Sequence, residues 1–188
     1  MKRPKLMILG DAGHGKDTVA EILRSVGGYQ FESSSHAAMR IAIFEPLAAK
    51  YGYANLDECY ADRVNHRAEW YDLITAFNTP DKTRLAREIL STNDIYVGMR
   101  HHAELSACKE QKLVDYIFWV DAYPRVRRES NDSMTVKQHQ ADWVIPNKGT
   151  EAELTTRVIN IWRGFLHPWE LRLNNPKRPD NAATQVVP

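Results

Sequence analysis

Apolar residues fall along the chain in two kinds of block. Short runs such as Leu6–Leu9 and Ile117–Val120 are nearly continuous, while the stretches between them carry apolar positions every three or four residues. The short runs predict five strands, over 6–9, 29–32, 94–100, 115–121 and 141–145. The spaced pattern predicts helices from Lys16 to Gly27, over 36–49 in a block interrupted by Pro46, over 55–71, 82–90, 101–111 and 151–165. The fourth run is apolar on both alternate sets of positions, as a strand buried on both faces requires. Strands alternating with helices predict an α/β fold, a five-stranded parallel sheet with helices on both faces in three layers. At 188 residues the chain reads as one domain over 1–173. Its end, rich in Asn, Pro, Lys and Ala, reads as a flexible tail over 174–188.

The segment LMILGDAGHGKDTVAEI, residues 6–22, carries the most chemistry. A strand stops at Gly10, a glycine-rich turn follows, and Lys16-Asp17-Thr18 opens a helix, so Gly10, Gly15 and Lys16 fit the G-x-x-x-x-G-K phosphate loop. Glycines let backbone N–H groups turn inward on a phosphate chain, the helix N-terminus supplies its positive dipole end, and the lysine reaches the terminal phosphates. Gly13, His14, Gly15, Lys16, Asp17 and Thr18 are the candidate ATP-binding residues, with Lys16 also catalytic. Asp17 stands where the strict motif has a hydroxyl, which comes one place later at Thr18. The third strand ends on Gly98 and Arg100 rather than on an aspartate, so Mg²⁺ would draw on Thr18, Asp17, ATP oxygens and water.

Beyond this loop, Ser33-Ser34-Ser35 lies where the second strand ends, suited to a helix cap or to a ligand contact. Along a helix over 55–71, Asp62, His66 and Glu69 share one stripe and Arg63 and Arg67 the next. An ion-paired surface helix has this same pattern. Its place after the second strand instead suits a small helical acceptor lobe over 36–90, with Asp62 as a base, Arg63, His66 and Arg67 holding an acceptor, and Trp70, Tyr71 and Phe77 either stacking on it or forming the lobe's own core. Arg100, at a strand end, is a candidate for both acceptor and transferring phosphoryl. The run 122–140, with Arg125, Arg127 and Arg128, reads as an arginine-rich lid, Arg125 reaching the ATP phosphates.

Charge and cysteine content narrow the classes. With 25 basic and 24 acidic side chains the net charge is +1, which shows no strongly basic footprint. Cys59 and Cys108 form no metal-ligand pattern or disulfide framework. No apolar run approaches the roughly 20 residues of a membrane span, and the expectation is a soluble, intracellular protein without a membrane partner.

Three pieces, GDAGHGKDTVAEIL, DIYVGMRHHAEL and ADWVIPNKGTEAEL, occur in the order found in the bacteriophage P-loop kinases typified by deoxynucleoside monophosphate kinase, and the chain resembles that group over most of residues 5–163. The resemblance implies ATP-dependent phosphoryl transfer with Mg²⁺ in an infected bacterial cytoplasm. It implies that Arg100 lies near the acceptor and that Asn147 to Thr150, including Gly149, lie close to adenine. Related phage kinases phosphorylate the hydroxymethyl group of 5-hydroxymethyluridine in DNA, and the short acceptor lobe leaves room for a DNA strand and a flipped base. The alternatives are a free deoxynucleoside monophosphate as acceptor, or a regulatory protein that binds ATP without transferring phosphate.

Overall fold

The structure, a computed structural model, describes residues 3–129 and 134–174. Five strands, β1 (Leu6–Leu9), β2 (Phe31–Ser33), β3 (Ile95–Val97), β4 (Tyr116–Asp121) and β5 (Trp143–Pro146), form one sheet in the order β2-β3-β1-β4-β5. Every pairing is parallel. Alternation along the strands divides the core in two. Met7, Leu9, Tyr96, Ile117 and Trp119 face one helical layer, and Leu6, Ile8, Ile95, Val97, Phe118 and Val120 face the other.

The second layer holds α1 (Lys16–Gly27), α8 (Glu151–Ile161) and α9 (His167–Asn174), packed through Val19, Leu23, Leu154 and Val158. The first holds α2 (Ser34–Ala38), α3 (Phe44–Tyr51), α4 (Leu56–Ala61), α5 (Arg67–Asn78), α6 (Arg84–Thr92) and α7 (His102–Glu110). Ala37, Ile43, Leu47, Cys59, Trp70, Leu85 and Ile89 join the sheet's own residues there in one cluster. The expected acceptor lobe is thus continuous with a covering layer of the sheet.

Local chemistry explains where the elements depart from the periodicity. The block around Pro46 does not break. A π turn over Met39–Ile43 leads directly into α3, and Pro46 falls in the first turn of α3, where the N–H that proline lacks has no partner within α3 to lose. The predicted helix over 55–71 divides into α4, a 3₁₀ turn Asp62–Val64 and α5. Asn65 donates through its side chain to Asp62 Oδ1 at 2.5 Å and through its backbone to Asp62 O at 3.0 Å, a local alternative to helical hydrogen bonding. The last helix runs on past 165 through a π turn, Trp162–Leu166, into α9. The expected tail from 175 onward and the tip of the lid at 130–133 lie outside the described residues.

A parallel sheet brings all carboxyl ends to one edge. Connections leave β1 and β4 toward opposite sides of the sheet, and a ligand crevice belongs where the chain so reverses.

Candidate functional site

The turn between β1 and α1 sits at that crevice and is shaped by close approaches. Gly10 has φ of 140°, and a Cβ there would stand 2.5 Å from the Val120 carbonyl oxygen. Gly15, with φ of 92°, would place a Cβ 2.5 Å from Asn147 Nδ2. That amide donates to the His14 carbonyl oxygen at 2.9 Å, which ties the turn to the end of β5. The His14 ring is fully buried, its Nδ1 accepting from the Ala122 backbone N–H at 3.1 Å. The ring staples the turn to the segment after β4, so of His14 only the backbone belongs to the face of the loop that a phosphate would meet.

Gly15 is the N-cap residue of α1 and, having no side chain, makes no cap bond to the first-turn N–H groups. Asp17 is exposed and Thr18 half-buried on that turn. Lys16 Nζ donates to the Asp11 carbonyl oxygen at 2.7 Å. Burial, and then the neighbouring Arg100 guanidinium, hold the Lys16 ammonium below its ordinary pKa.

A carboxylate completes this mouth. Glu129 accepts from the Ala12 backbone N–H at 2.8 Å through Oε2 and from Arg100 Nη1 at 2.7 Å through Oε1. Its own backbone N–H donates to Asp11 Oδ1 at 3.1 Å. Burial by itself raises the Glu129 pKa, but the Arg100 hydrogen bond and charge, the Ala12 N–H and the Lys16 charge outweigh it, and the group is held below its ordinary value. Arg125 donates to the Asn147 carbonyl oxygen at 3.0 Å through Nη2, so these two candidates lie together. Gly149 precedes the capping box formed by Thr150 and Glu153, whose carboxylate a Cβ at Gly149 would strike. The described part of the lid lies over the loop, with Val126 Cγ1 3.5 Å from where a Gly13 Cβ would be. Thr135 and Val136 both donate to the Arg100 carbonyl oxygen, at 3.0 and 3.1 Å.

The acceptor candidates divide into two groups. Ser33 caps α2, its Oγ accepting from the His36 N–H at 3.3 Å. Ser34 donates to the Gly98 carbonyl oxygen at 3.0 Å, beside the Lys16 stem. Arg63 donates to the Tyr60 hydroxyl at 2.8 Å, and that hydroxyl meets Ser35 Oγ at 3.1 Å, linking the strand-end serines to an arginine. Asp62, by contrast, is bound within its own layer, by Tyr53 Oη at 2.5 Å and His66 Nε2 at 3.0 Å, and these contacts, Tyr53 first, hold its carboxyl below the ordinary value. His66 Nδ1 faces Glu69 Oε1 at 3.3 Å, and Arg67 is exposed on the first turn of α5. Trp70 is 4% exposed and packed in the core, which corrects its expected stacking role, whereas Tyr71 is 52% exposed and edge-on to His101.

The sequence reading passed over two acidic groups. Asp121 is the acidic strand end that β3 lacks. It is 6% exposed, accepts from the Tyr123 N–H at 3.2 Å, and lies 3.7 Å from Lys148 Nζ and 3.9 Å from Arg128 Nη2. Its position at the end of an apolar run was the available signal. Glu129, among arginines in a polar loop, gave none. Among the described residues no three His, Cys, Asp or Glu side chains gather as a metal-ligand set.

No protein-family model matches the chain, and no curated protein sequence matches it. Solved structures do resemble it. TT1252 from Thermus thermophilus is 22% identical, over 85% of this chain and 96% of that one, with a TM-score of 0.46. Dephospho-CoA kinase from Campylobacter jejuni is 13% identical, over 87% and 98%, with a TM-score of 0.48. Shikimate kinase from Bacteroides thetaiotaomicron is 8% identical, over 86% and 98%, with a TM-score of 0.50. At such identity the likeness to the shikimate kinase bears on fold alone: the chain has the three-layer α/β architecture of that P-loop kinase, a five-stranded parallel sheet between two layers of helices.

Proposed function

We propose that the chain is an ATP-dependent phosphotransferase that acts with Mg²⁺ on a deoxynucleotide-type acceptor, the 5-hydroxymethyl group of 5-hydroxymethyluridine in DNA. The observation that carries phosphoryl transfer is the convergence of Arg100 and the Ala12 N–H on one anion position, with the Lys16 charge acting on it, at the start of α1, whose N-cap Gly15 has no side chain. A transferring phosphoryl group spreads negative charge over its oxygens, and donors fixed around that point stabilise it. Thr18 and Asp17 would hold Mg²⁺ together with phosphate oxygens and water, and the ion would neutralise charge on the phosphate chain. Arg125 and Asn147 would flank the nucleotide from the β5 side.

For the acceptor, support comes from the phage-kinase resemblance and from a cleft next to Arg100 in sequence. The cleft, about 110 Å³, is lined by Tyr71, Thr75, Lys82, His101 and Glu104. An exposed tyrosine stacks on any base, and a lysine beside it meets a nucleic-acid backbone. In this reading the acceptor hydroxyl passes its proton to Asp62, which first gives up its Tyr53 or His66 hydrogen bond, and Arg63 and Arg67 hold the acceptor's phosphate. The near-neutral net charge favours a second reading, a free deoxynucleoside monophosphate clamped by the same arginines.

The test is transfer of labelled γ-phosphate from ATP to an oligonucleotide containing 5-hydroxymethyluridine and, separately, to mixed deoxynucleoside monophosphates. Label on the oligonucleotide is the expected outcome, and label on the monophosphates alone selects the second reading. Lys16→Ala is expected to lower transfer by at least about 10²- to 10³-fold with either acceptor, and retained turnover would sink the phosphate-loop assignment. ATP binding with no phosphorylated product under any acceptor screen would leave a nucleotide-binding protein that is not a kinase.

A further inference from the structure

We infer that Glu129 is a built-in competitor for the phosphate site, an anion that any phosphate group entering there must displace. The inference rests on the phosphate-loop reading above. The Glu129 carboxylate occupies the position where the loop offers its anion-binding groups, with the Ala12 N–H at 2.8 Å on one oxygen and Arg100 Nη1 at 2.7 Å on the other. The Lys16 charge adds to both. The group does not swing on a long free arm, because the backbone N–H of the same residue is fixed to Asp11 Oδ1 at 3.1 Å.

A tethered anion has an effective concentration on the order of millimolar. A single phosphate entering this position must displace it, and it gains mainly the donors that the carboxylate gives up. A polyphosphate also reaches the first turn of α1, whose N-cap residue, Gly15, has no side chain to cap it, and so it binds more tightly in spite of the carboxylate. The carboxylate therefore weakens by one common factor every anion that must take its place. Nucleotide arrival releases Glu129 from Arg100, and the Arg100–Glu129 bond gives way to one with the phosphate.

Calorimetry on the full chain, with inorganic phosphate and pyrophosphate as probes, tests this in the wild type, Glu129→Gln and Lys16→Ala. In Glu129→Gln, phosphate and pyrophosphate affinities are each expected to rise by about tenfold. No gain, or a gain confined to one of the two, overturns the inference. Should Lys16→Ala weaken pyrophosphate while Glu129→Gln changes neither ligand, the competitor fails and the loop reading stands. Undiminished pyrophosphate binding in Lys16→Ala overturns the loop reading and the inference with it. A second readout needs no substitution at 129. The carboxyl ¹³C resonance of Glu129 in the wild-type protein is expected to move on saturation with pyrophosphate, together with the Ala12 amide, and a carboxyl signal that stays in place overturns the proposal.

Discussion

Gly15 is held by two constraints at once, one in its backbone and one in its neighbour. A side chain at φ of 92° costs about 1–2 kcal/mol in a left-handed conformation. Its Cβ would also press on an Asn147 amide that cannot readily turn away, since it is bonded to His14 O and its residue is 7% exposed. Gly15→Ala is expected to lower stability by about 2 kcal/mol or more, read from the urea midpoint. Adding Asn147→Ala should recover the contact part and leave the backbone part, so the two changes will not add. At this scale the glycine–lysine spacing was enough to find the loop. Nothing in the sequence told which loop side chain turns inward, because His14 meets its partner at residue 122 only after β4 is laid beside β1.

Among the elements, the turn between α4 and α5 shows how a charge pattern survives the loss of the helix that predicted it. Asp62, His66 and Glu69 meet across the break as they would have met on one helix face. The sequence supplied the cluster but not its purpose, since Tyr51 and Tyr53, which bind its two carboxylates, lie in a separate segment. Glu69 takes hydrogen bonds from Lys50 at 2.7 Å and from Tyr51, and these, Lys50 first, hold its carboxyl down from 4.5 to about 2. A carboxyl whose folded pKa is depressed contributes stability that is present above its unfolded value and lost as pH falls through its folded value. The window is therefore from about 4.5 down to about 2. Urea midpoints at pH 6 and pH 3 should differ more for the wild type than for Glu69→Gln, which has no carboxylate to protonate. An equal difference in both proteins would show that the network contributes nothing to acid stability.

On the scale of the whole molecule, periodicity gave the sheet because each strand is a short apolar run between helices, and β4 lies buried almost throughout. It did not give the closure of the second layer. α9 lies in a stretch of mixed composition, HPWELRLN, whose spacing alone marks no face, and its anchor is a contact 141 residues away in sequence. There the Tyr29 hydroxyl, just before β2, donates to Glu170 Oε1 at 2.5 Å, with the two residues 0% and 2% exposed. Burial, and then this carboxylate, raise the Tyr29 pKa, so the phenol remains a donor. Tyr29→Phe removes that donor and leaves a buried carboxylate oxygen without it. This is expected to cost about 1–3 kcal/mol, seen as a lower urea midpoint. Glu170→Leu is expected to cost a similar amount by stranding the hydroxyl. If the contact acts as a paired polar link, the double variant should lose less than the sum of the two, because replacing both partners removes the unmet demand as well as the bond. Strict additivity would mean that the packing of α9, through Leu166 at its entry and Trp169 against Tyr116, closes this side of the sheet without help from the pair.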